Sequence, residues 1–412
     1  MTSRIYYTDP YCRRFEAVVT RAFDHEGRPA ALLDRTAFYP TSGGQPFDTG
    51  RLLPAGEGQR ELGEERRGPE RSTIDVIDTI DADDEVLHIL SAPLSVGAAV
   101  SGQIDWTRRF DHMQQHTGQH VLSAAFDRLL ENPTTSFHMG TEISTIDLAR
   151  DMSWEQIARA EGEANRIIWE DREVAIRFVS SDLLRDGSKD PSLQLRKQSK
   201  RTGIVRLIEV KDFDLSACGG THVARTGAIG AAVVSATEKF KGGARITFAC
   251  GDRALRMFRT LRDAVSGSVR ALSVLPHDLP GAIERMQAET KDVRRTIKKF
   301  QESLAAQEAV RLAAPVVVEA LEGWDVHGLK MIATEITVRT SAVVALFSTA
   351  RPITVVIARS PDVALDANAA VRVLIERFGG RGGGKPDLAQ GGGLTGDLTS
   401  MISFARERLS IP

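Results

Sequence analysis

The 412-residue chain has little cysteine, few aromatic residues and almost no net charge. Its three cysteines, Cys12, Cys218 and Cys250, are an odd and sparse set, which argues against a disulfide framework and for a reducing compartment. The formal net charge of −2 gives no global signal for nucleic acid, so such binding must be local. No apolar run approaches the roughly 18 residues of a membrane span, and the N-terminus lacks a signal-peptide core. These absences predict a soluble, cytoplasmic protein without membrane contact.

Four blocks of different character follow one another along the chain, and together they predict an α+β multidomain protein. Residues 1–104 carry short β-branched and aromatic segments separated by turn signals, which predict a small barrel or sandwich of about six strands. In this block the glycine-rich, charged segment 54–71 is predicted to be a mobile loop. Residues 105–251 combine helices with strands, as in an α+β domain.

Helix signals mark the second and third blocks. Asp105 is predicted to cap a helix containing the sequence HTGQH, and Ser153 with Gln156 at the capping-box position predicts a second helix. Residues 252–310 read as helical, and a three-four repeat predicts a coiled coil or helical hairpin there. The repeat comprises Ile283, Met286, Thr290, Val293, Ile297, Phe300, Leu304 and Gln307. Residues 311–412 alternate buried strands with a helix and predict an α/β domain.

Two pairs of potential metal ligands are spaced four residues apart. His116 and His120 would lie on one face of a helix. Between Cys218 and His222 stand two glycines, which permit a sharp turn, so those two side chains can converge as well. Three imidazoles and one thiolate are a ligand set that suits zinc, and the pattern predicts one zinc ion per chain.

Other zinc patterns are absent. The metalloprotease motif requires a glutamate after the first histidine, whereas Thr117 follows His116. The deaminase motif, H-x-E followed by P-C-x-x-C, is missing. The spacing between the two pairs is too long for a zinc finger. The site is therefore expected to perform some other chemistry.

Two glycine-rich segments are candidates for binding. FYPTSGGQPFDTG, residues 38–50, suits a turn between strands, but its density of polar side chains is unusual for a plain turn. GGRGGGKPDLAQGGG, residues 379–393, contains a GxxxxGK pattern, yet Pro386 stands where a nucleotide-binding loop needs a hydroxyl, which makes ATP binding there an unfavoured alternative. A flexible linker is another alternative. We favour a backbone surface with Arg381 and Lys385 fitted to a sugar-phosphate chain.

Four segments resemble, in order, the editing region of alanyl-tRNA synthetase: FYPTSGGQPFDTG, HTGQH, SFHMGTEISTIDL and CGGTHVARTGAIG. The free-standing editing proteins called AlaX are the most similar members of that family. The C-terminal glycine-rich segment resembles the DHHA1 domain of the same synthetases. The resemblance covers nearly the whole chain, which begins at the glycine-rich barrel, so we expect the long form of AlaX without aminoacylation activity.

The resemblance implies four domains. They are a barrel with the glycine-rich motif (1–104), a zinc-binding editing domain (105–251), a helical or coiled-coil segment (252–310) and a DHHA1-like tRNA-binding domain (311–412). It also implies an aminoacyl-tRNA deacylase that hydrolyses seryl-tRNA(Ala), and glycyl-tRNA(Ala) as a further candidate. The partner would be tRNA(Ala), and the C-terminal region is a candidate for homodimer formation.

The same resemblance assigns roles to individual residues. The loop Thr41, Ser42, Gly43, Gly44 and Gln45 would bind the substrate, with Thr41 contacting the serine hydroxyl. His116, His120, Cys218 and His222 would hold zinc. Thr41, Gln45 and His138 are the catalytic candidates, and His138 would orient water unless it is only a structural histidine on a strand. Arg381, Gly382, Gly383 and Lys385 would contact tRNA.

Two questions stay open from the sequence. A zinc ion with four protein ligands either organises the pocket, which we prefer, or expands its coordination and activates water. The alternative functions are editing of seryl-tRNA(Thr), because threonyl-tRNA synthetases have a related editing fold, and non-catalytic tRNA binding.

Overall fold

A computed structural model describes residues 1–54, 73–185, 193–198 and 202–409 of the chain. These residues form two compact units, Met1–Val265 and Ser266–Pro412. The four domain boundaries predicted from the sequence are finer than this division and remain predictions. Apart from Pro54, the predicted mobile loop 54–71 lies outside the described residues. None of the described helices combines the length and hydropathy that a membrane span requires.

The N-terminal part of the first unit is a closed six-stranded barrel. The strands of this region are β1 (Ser3–Arg4), β2 (Arg14–His25), β3 (Arg28–Leu33), β4 (Arg35–Thr36), β5 (Gly50–Pro54), β6 (Ile74–Ala82), β7 (Glu85–Leu90) and β8 (Ala99–Ile104). The barrel strands follow the order β2-β3-β7-β6-β5-β8. Alternate residues of β2, among them Phe15, Ala17 and Val19, fill the interior. Of the two predicted alternatives, the barrel is therefore the correct one.

The second part of this unit packs helices against antiparallel sheets. Its elements are α1 (Trp106–Leu130), β9 (Thr134–Met139), β10 (Ser144–Leu148), α2 (Trp154–Trp169), β11 (Val174–Ser180), α3 (Ser181–Arg185), β12 (Ile204–Val210), β13 (Asp214–Ala217), β14 (Ala232–Phe240) and β15 (Gly243–Cys250). One sheet has the order β14-β15-β10-β9 and the other β11-β12-β13. Asp105 caps α1, and Ser153 with Gln156 forms the predicted capping box.

Helix α1 is buried on every side from His112 to Phe126. From the sequence alone, a three-four spacing of side chains predicts only one buried stripe on this helix, made of Trp106, Phe110, Met113, Thr117, Val121 and Ala124. The structure differs because the barrel, α2 and both sheets surround the helix, so its glutamines and histidines are enclosed as well. Polar side chains buried in this way need hydrogen-bond partners, and those partners define the candidate site.

Two helices, α4 (Asp252–Leu272) and α5 (Leu279–Arg311), occupy the predicted helical segment. All eight positions of the three-four repeat lie on α5. The six apolar positions are exposed in the chain, from 38% for Ile283 to 66% for Phe300. The periodicity therefore predicts the helix correctly, but the chain does not bury the repeat by itself.

The C-terminal part of the second unit is α/β. Its elements are β16 (Val316–Leu321), α6 (Val326–Arg339), β17 (Val343–Ser348), β18 (Ile353–Arg359), α7 (Ala367–Phe378), β19 (Arg381–Gly384), β20 (Leu388–Leu394) and α8 (Leu398–Leu409). The sheet order is β16-β17-β18-β20-β19. The glycine-rich segment forms the antiparallel pair β19–β20. The linker and nucleotide-loop alternatives are both wrong, since the segment is regular strand and follows a helix instead of leading into one.

Candidate functional site

The four predicted metal ligands come together in one buried cluster. His116 and His120 project from α1, while Cys218 and His222 lie just after β13. One potential ligand atom from each of the four side chains lies within 4.8 Å of all the others. The three histidines are buried and Cys218 is partly exposed. The cluster therefore lies at the edge of the core, with Cys218 on its more exposed side.

The turn between Cys218 and His222 is shaped by its neighbours. A Cβ atom on Gly220 would lie 2.2 Å from Cε1 of His116, so only glycine allows this close approach. Arg206 fixes the same turn, because its Nη1 donates to the carbonyl oxygens of Cys218, at 2.7 Å, and of Gly220, at 2.9 Å. Local sequence and a distant arginine thus place the thiol beside α1.

Each imidazole of the cluster has its Nδ1 engaged by a different kind of acceptor. His116 Nδ1 donates to the amide oxygen of Gln45 at 2.8 Å, and His120 Nδ1 donates to the Asp214 carboxylate at 3.2 Å. His222 Nδ1 donates to Thr117 Oγ1 at 3.2 Å, since that hydroxyl gives its own proton to a backbone carbonyl. All three Nε2 atoms are left to face the cluster.

The side chains of the cluster shift one another's pKa values. Burial alone would raise the pKa of Cys218, but His116 and His222 outweigh it and hold that pKa well below its usual value. Burial opposes protonation of His120 too, yet hydrogen bonds with Asp214 and Cys218 raise its pKa to about 9. Burial lowers the pKa of His222 to about 3. The lowered pKa of Cys218 favours the thiolate, the form that binds metal, whereas the raised pKa of His120 means that this ring must release a proton when an ion binds.

The donor set fits a zinc ion. One thiolate and three imidazoles oriented by second contacts are what zinc sites use, because the outer hydrogen bond fixes both the tautomer and the direction of the ring. Asp214 is itself held by Arg196, whose Nε donates to it at 2.7 Å, and by the Ser216 hydroxyl at 2.9 Å. The cluster could bind a metal such as zinc without rearrangement of these contacts.

The glycine loop, residues 41–47, lies directly against the cluster. Ser42 and Gln45 form a tight turn, and Gly43 and Gly44 within it have φ values of 57° and 83°, which favour glycine. Thr41 is exposed, and its hydroxyl accepts a hydrogen bond from the N–H of Phe47 at 3.1 Å. Among the described residues the proton of that hydroxyl has no acceptor, so it can be donated to a ligand.

Gln45 differs from the rest of the loop because it is completely buried. Its amide oxygen accepts from His116 and from the N–H of Thr221, and its Nε2 donates to Thr221 Oγ1 at 2.8 Å. The amide is therefore already engaged within the protein. Its predicted direct contact with substrate remains untested.

A buried ion pair anchors the base of the loop. Asp48 accepts the N–H of Tyr39 at 2.6 Å, which closes the loop at its two ends. Arg109 of α1 donates to the same carboxylate through Nε at 2.9 Å, and both side chains are fully buried. The barrel loop is thus held to the helix that carries His116 and His120.

His138 is placed differently from the other catalytic candidates. In strand β9 it pairs with Thr145, while the neighbouring Phe137 pairs with the buried Ile146. Successive side chains point to opposite faces of a strand, so Phe137 faces the cluster and its ring lies 5.5 Å from that of His116. His138 is exposed on the other face, and the structure does not bring it to the four ligands.

The four predicted tRNA contacts lie on an edge strand and its turn. Arg381, Gly382 and Lys385 are exposed and Gly383 is partly so. Because β19 pairs only with β20, the backbone groups on its outer side are unpaired by the sheet. This surface is remote in sequence from the cluster.

The sequence did not single out the residues that orient the four side chains of the cluster. Thr117, Thr221 and Asp214 all contact an imidazole or its partner. A signal was present for Asp214, since Asp214, Ser216 and Cys218 alternate and must share one side of a strand. For Gln45, the sequence singled out the residue but did not indicate its hydrogen bond with His116.

Comparisons with known proteins agree with this architecture. Residues 313–410 match the model of the DHHA1 domain. Residues 205–247 match the model described as the threonyl and alanyl tRNA synthetase second additional domain. The second match includes Asp214 and the turn with Cys218 and His222.

Similar full-length proteins extend the likeness. The alanyl-tRNA editing protein AlaX-L of Pyrococcus horikoshii is 31% identical over 95% of this chain and 94% of its own length. The alanine–tRNA ligases of Pyrococcus abyssi and Halorubrum lacusprofundi are 31% and 34% identical over 95% and 96% of this chain, which spans only 42% of either ligase. The solved C-Ala domain of Aquifex aeolicus alanyl-tRNA synthetase is 29% identical over 23% of this chain and 91% of its own, with a TM-score of 0.22.

Proposed function

This chain belongs to the family of the alanyl-tRNA editing protein AlaX-L, and from that premise we propose that it hydrolyses mischarged seryl-tRNA(Ala). Glycyl-tRNA(Ala) is a second substrate candidate. The observation that carries the proposal is a contact between two parts of the site. The buried cluster of four potential metal ligands touches the glycine loop, which carries an exposed hydroxyl group. The cluster suits an ester, and the glycine loop suits a small polar side chain.

The chemical need for such an enzyme is well defined. A pocket shaped for alanine cannot strongly reject a substrate that only adds a hydroxyl, so a second site must remove the wrong product. That second site can select serine by a hydrogen bond, because alanine would leave the polar group of the site without a partner. The loop would supply the selective contact and the cluster would act on the ester.

Each part of the site has a proposed role. Thr41 would donate its free hydroxyl proton to the serine side chain, and the Gly43–Gly44 backbone would allow close approach of the aminoacyl group. His116, His120, Cys218 and His222 would hold zinc, which supplies a positive charge beside the ester when bound. Phe137 covers His116 and would limit the access of bulk water.

The nucleic-acid partner is proposed to be tRNA(Ala). Arg381 and Lys385 would contact phosphates, and the side-chain-free strand with Gly382 and Gly383 would let a sugar-phosphate chain approach the backbone. A homodimer through the C-terminal region and a cytoplasmic location remain predictions from the sequence.

A second candidate substrate is seryl-tRNA(Thr). The family model that matches residues 205–247 is named for threonyl as well as alanyl synthetases. The glycine loop and the DHHA1 match favour the alanine system over this alternative.

The decisive experiment compares hydrolysis of four charged tRNAs by the purified, zinc-loaded protein. These are Ser-tRNA(Ala), Gly-tRNA(Ala), Ala-tRNA(Ala) and Ser-tRNA(Thr). We expect kcat/KM to be highest for Ser-tRNA(Ala) and much lower for Ala-tRNA(Ala). Faster hydrolysis of Ser-tRNA(Thr) would favour the second candidate, and tRNA binding with no hydrolysis would indicate a non-catalytic binding protein.

A further inference from the structure

Gln45 is the single fully buried residue in an otherwise accessible loop tip. From Thr41 to Phe47, the other residues are exposed or half-buried, and Gly43 and Gly44 directly precede Gln45. A ligand that contacts the tip will therefore meet residues joined covalently to Gln45. A ligand that displaces the loop tip therefore shifts the backbone next to Gln45, whose buried side chain is held in the core.

The amide of Gln45 joins three parts of the site. It comes from the barrel loop, contacts His116 of α1 at 2.8 Å and makes two hydrogen bonds with Thr221, at 2.8 and 3.0 Å. Thr221 lies in the turn between Cys218 and His222. One side chain thus links the loop to both elements that carry the four ligands.

The other two imidazoles are oriented by residues outside the loop. His120 is held by Asp214, which Arg196 and Ser216 fix in turn. His222 is held by Thr117, whose hydroxyl also accepts the N–H of Val223 at 3.1 Å. Among the three histidines, only His116 depends on the glycine loop for the position of its ring.

We propose that Gln45 is a positioning residue that links occupancy of the glycine loop to the orientation of His116. The proposal rests on the function given above, since it takes an aminoacylated adenosine as the loop's ligand. Substrate binding alters the cluster through His116, while Cys218, His120 and His222 keep their contacts. A four-ligand site thereby gains a way to respond to substrate that a closed structural site lacks.

Cobalt substitution gives a readout that does not depend on hydrolysis. The probe is Co²⁺ bound to the full chain, and the ligand is adenosine carrying serine through a 3′-amide, which resists hydrolysis. In the wild-type protein we expect this analogue to change the d–d absorption of Co²⁺. The thiolate charge-transfer band should persist, since Cys218 remains bound.

Two substitutions at Gln45 test the link. Gln45→Met removes both hydrogen-bonding atoms and should weaken Co²⁺ binding on the order of 10- to 100-fold, as the loss of outer contacts to ligands typically does. It should also abolish the spectral response to the analogue, with binding of the analogue followed separately by calorimetry. Gln45→Glu keeps an acceptor for His116 and should restore Co²⁺ binding.

Gln119→Met is the matched control, because Gln119 is a buried amide on α1 that bonds only to Ser123 among the described residues. It should leave Co²⁺ affinity and the spectral response at wild-type levels. An equal loss of affinity in this control, or a Gln45→Met protein that still responds like the wild type, would overturn the proposal. Absence of tRNA hydrolysis with the Co²⁺ effects intact would instead count against the proposed function alone.

Discussion

At the residue scale, the chemistry of the cluster depends on which nitrogen of each imidazole is left free. Gln45, Asp214 and Thr117 each engage an Nδ1, so the three Nε2 atoms and the sulfur of Cys218 are left to face one another. Removing any one of the four would leave an incomplete set. The cluster therefore predicts a single tightly held ion that depends on all its members.

The first prediction concerns metal content. The purified protein should contain about one zinc per chain, and His120→Ala or Cys218→Ala should lose metal and deacylation together, because each removes a direct ligand. Elemental analysis of wild type and variants measures this. His138→Ala, at an exposed position away from the cluster, should retain the metal. A metal-free yet fully active wild-type protein would contradict the prediction.

The second prediction concerns Thr41, whose hydroxyl proton has no acceptor in the part of the chain that the structure describes. Thr41→Val keeps the shape and removes the hydroxyl, and an unsatisfied partner costs about 1–3 kcal/mol. The preference for Ser-tRNA(Ala) over Ala-tRNA(Ala) should fall by roughly tenfold or more, since 1.4 kcal/mol is a factor of ten. The ratio of the two kcat/KM values measures it, and an unchanged ratio with zinc retained would move serine sensing to another residue.

The third prediction concerns His88, which is buried inside the barrel. Burial lowers its pKa to about 4, while its Nδ1–H donates to Ala31 and its Nε2 accepts from Thr36. The pKa of this histidine in the unfolded chain is 6.5, which is higher than the pKa in the folded protein. The unfolded state therefore takes up the proton first as the pH falls. The contribution of neutral His88 to the free energy of unfolding is complete above pH 6.5. It decreases by up to about 3 kcal/mol as the pH falls to 4.

Proton NMR can follow the His88 ring directly, with His88→Gln identifying its resonance. We expect this ring to stay about nine-tenths neutral or more between pH 7 and 5. A midpoint at or above pH 6 would show that the barrel interior does not exclude the charge.

At the element scale, the β19–β20 hairpin shows that one glycine pattern is compatible with two different structures. The segment satisfied a nucleotide-loop pattern, yet it forms an edge hairpin beside α7. A Cβ atom on Gly382 would lie 2.2 Å from the Gln390 carbonyl oxygen, whereas one on Gly383 would lie 3.4 Å from its nearest neighbour, Asn368 Oδ1. Gly382 therefore has no room for a methyl group, whereas Gly383 has room for one.

The fourth prediction follows from this difference. Gly382→Ala should destabilise the hairpin by about 1–3 kcal/mol through overpacking, and Gly383→Ala should change stability by less than about 0.5 kcal/mol. Thermal unfolding of the full chain compares the two variants, and a filter assay compares their tRNA affinity. Equal behaviour of the two would show that the hairpin can shift without cost.

At the scale of the whole molecule, the division after Val265 suggests where to separate the two units. A cut after residue 250 would remove Arg253, which donates to the Asp111 carboxylate of α1 at 2.6 Å and to Gly140 O at 2.7 Å. Both acceptors belong to the first unit. A fragment ending at Val265 keeps this anchor.

The fifth prediction is that residues 1–265 fold, bind zinc and hydrolyse a seryl-adenosine ester, but bind tRNA more weakly than the full chain. Phosphate contacts release counterions, so the affinity of the full chain should fall more steeply with salt than that of the fragment. Circular dichroism, zinc analysis and tRNA titrations at several salt concentrations measure these properties. Equal affinity and equal salt dependence would show that the C-terminal unit has no part in tRNA binding.

Local patterns in the sequence by themselves determined the four-ligand set, the caps of α1 and α2, most of the barrel strands and the helix that carries the apolar repeat. These depend on spacing between near neighbours, such as the four-residue step from His116 to His120. They did not identify β5, because the glycine and proline at its ends read as turn signals. Nor did they identify the hairpin at residues 381–394, since glycine-rich segments carry no strand pattern.

Only the tertiary structure decided which acceptor orients which histidine. Gln45 lies 71 residues from His116 and 176 from Thr221, and Asp214 lies 94 residues from His120. Contacts over such separations arise from the packing of the barrel and the sheets around α1, which no local periodicity encodes. The sequence also placed Gln45 among the substrate contacts, which stays a prediction, but it gave no sign that this side chain is buried against His116.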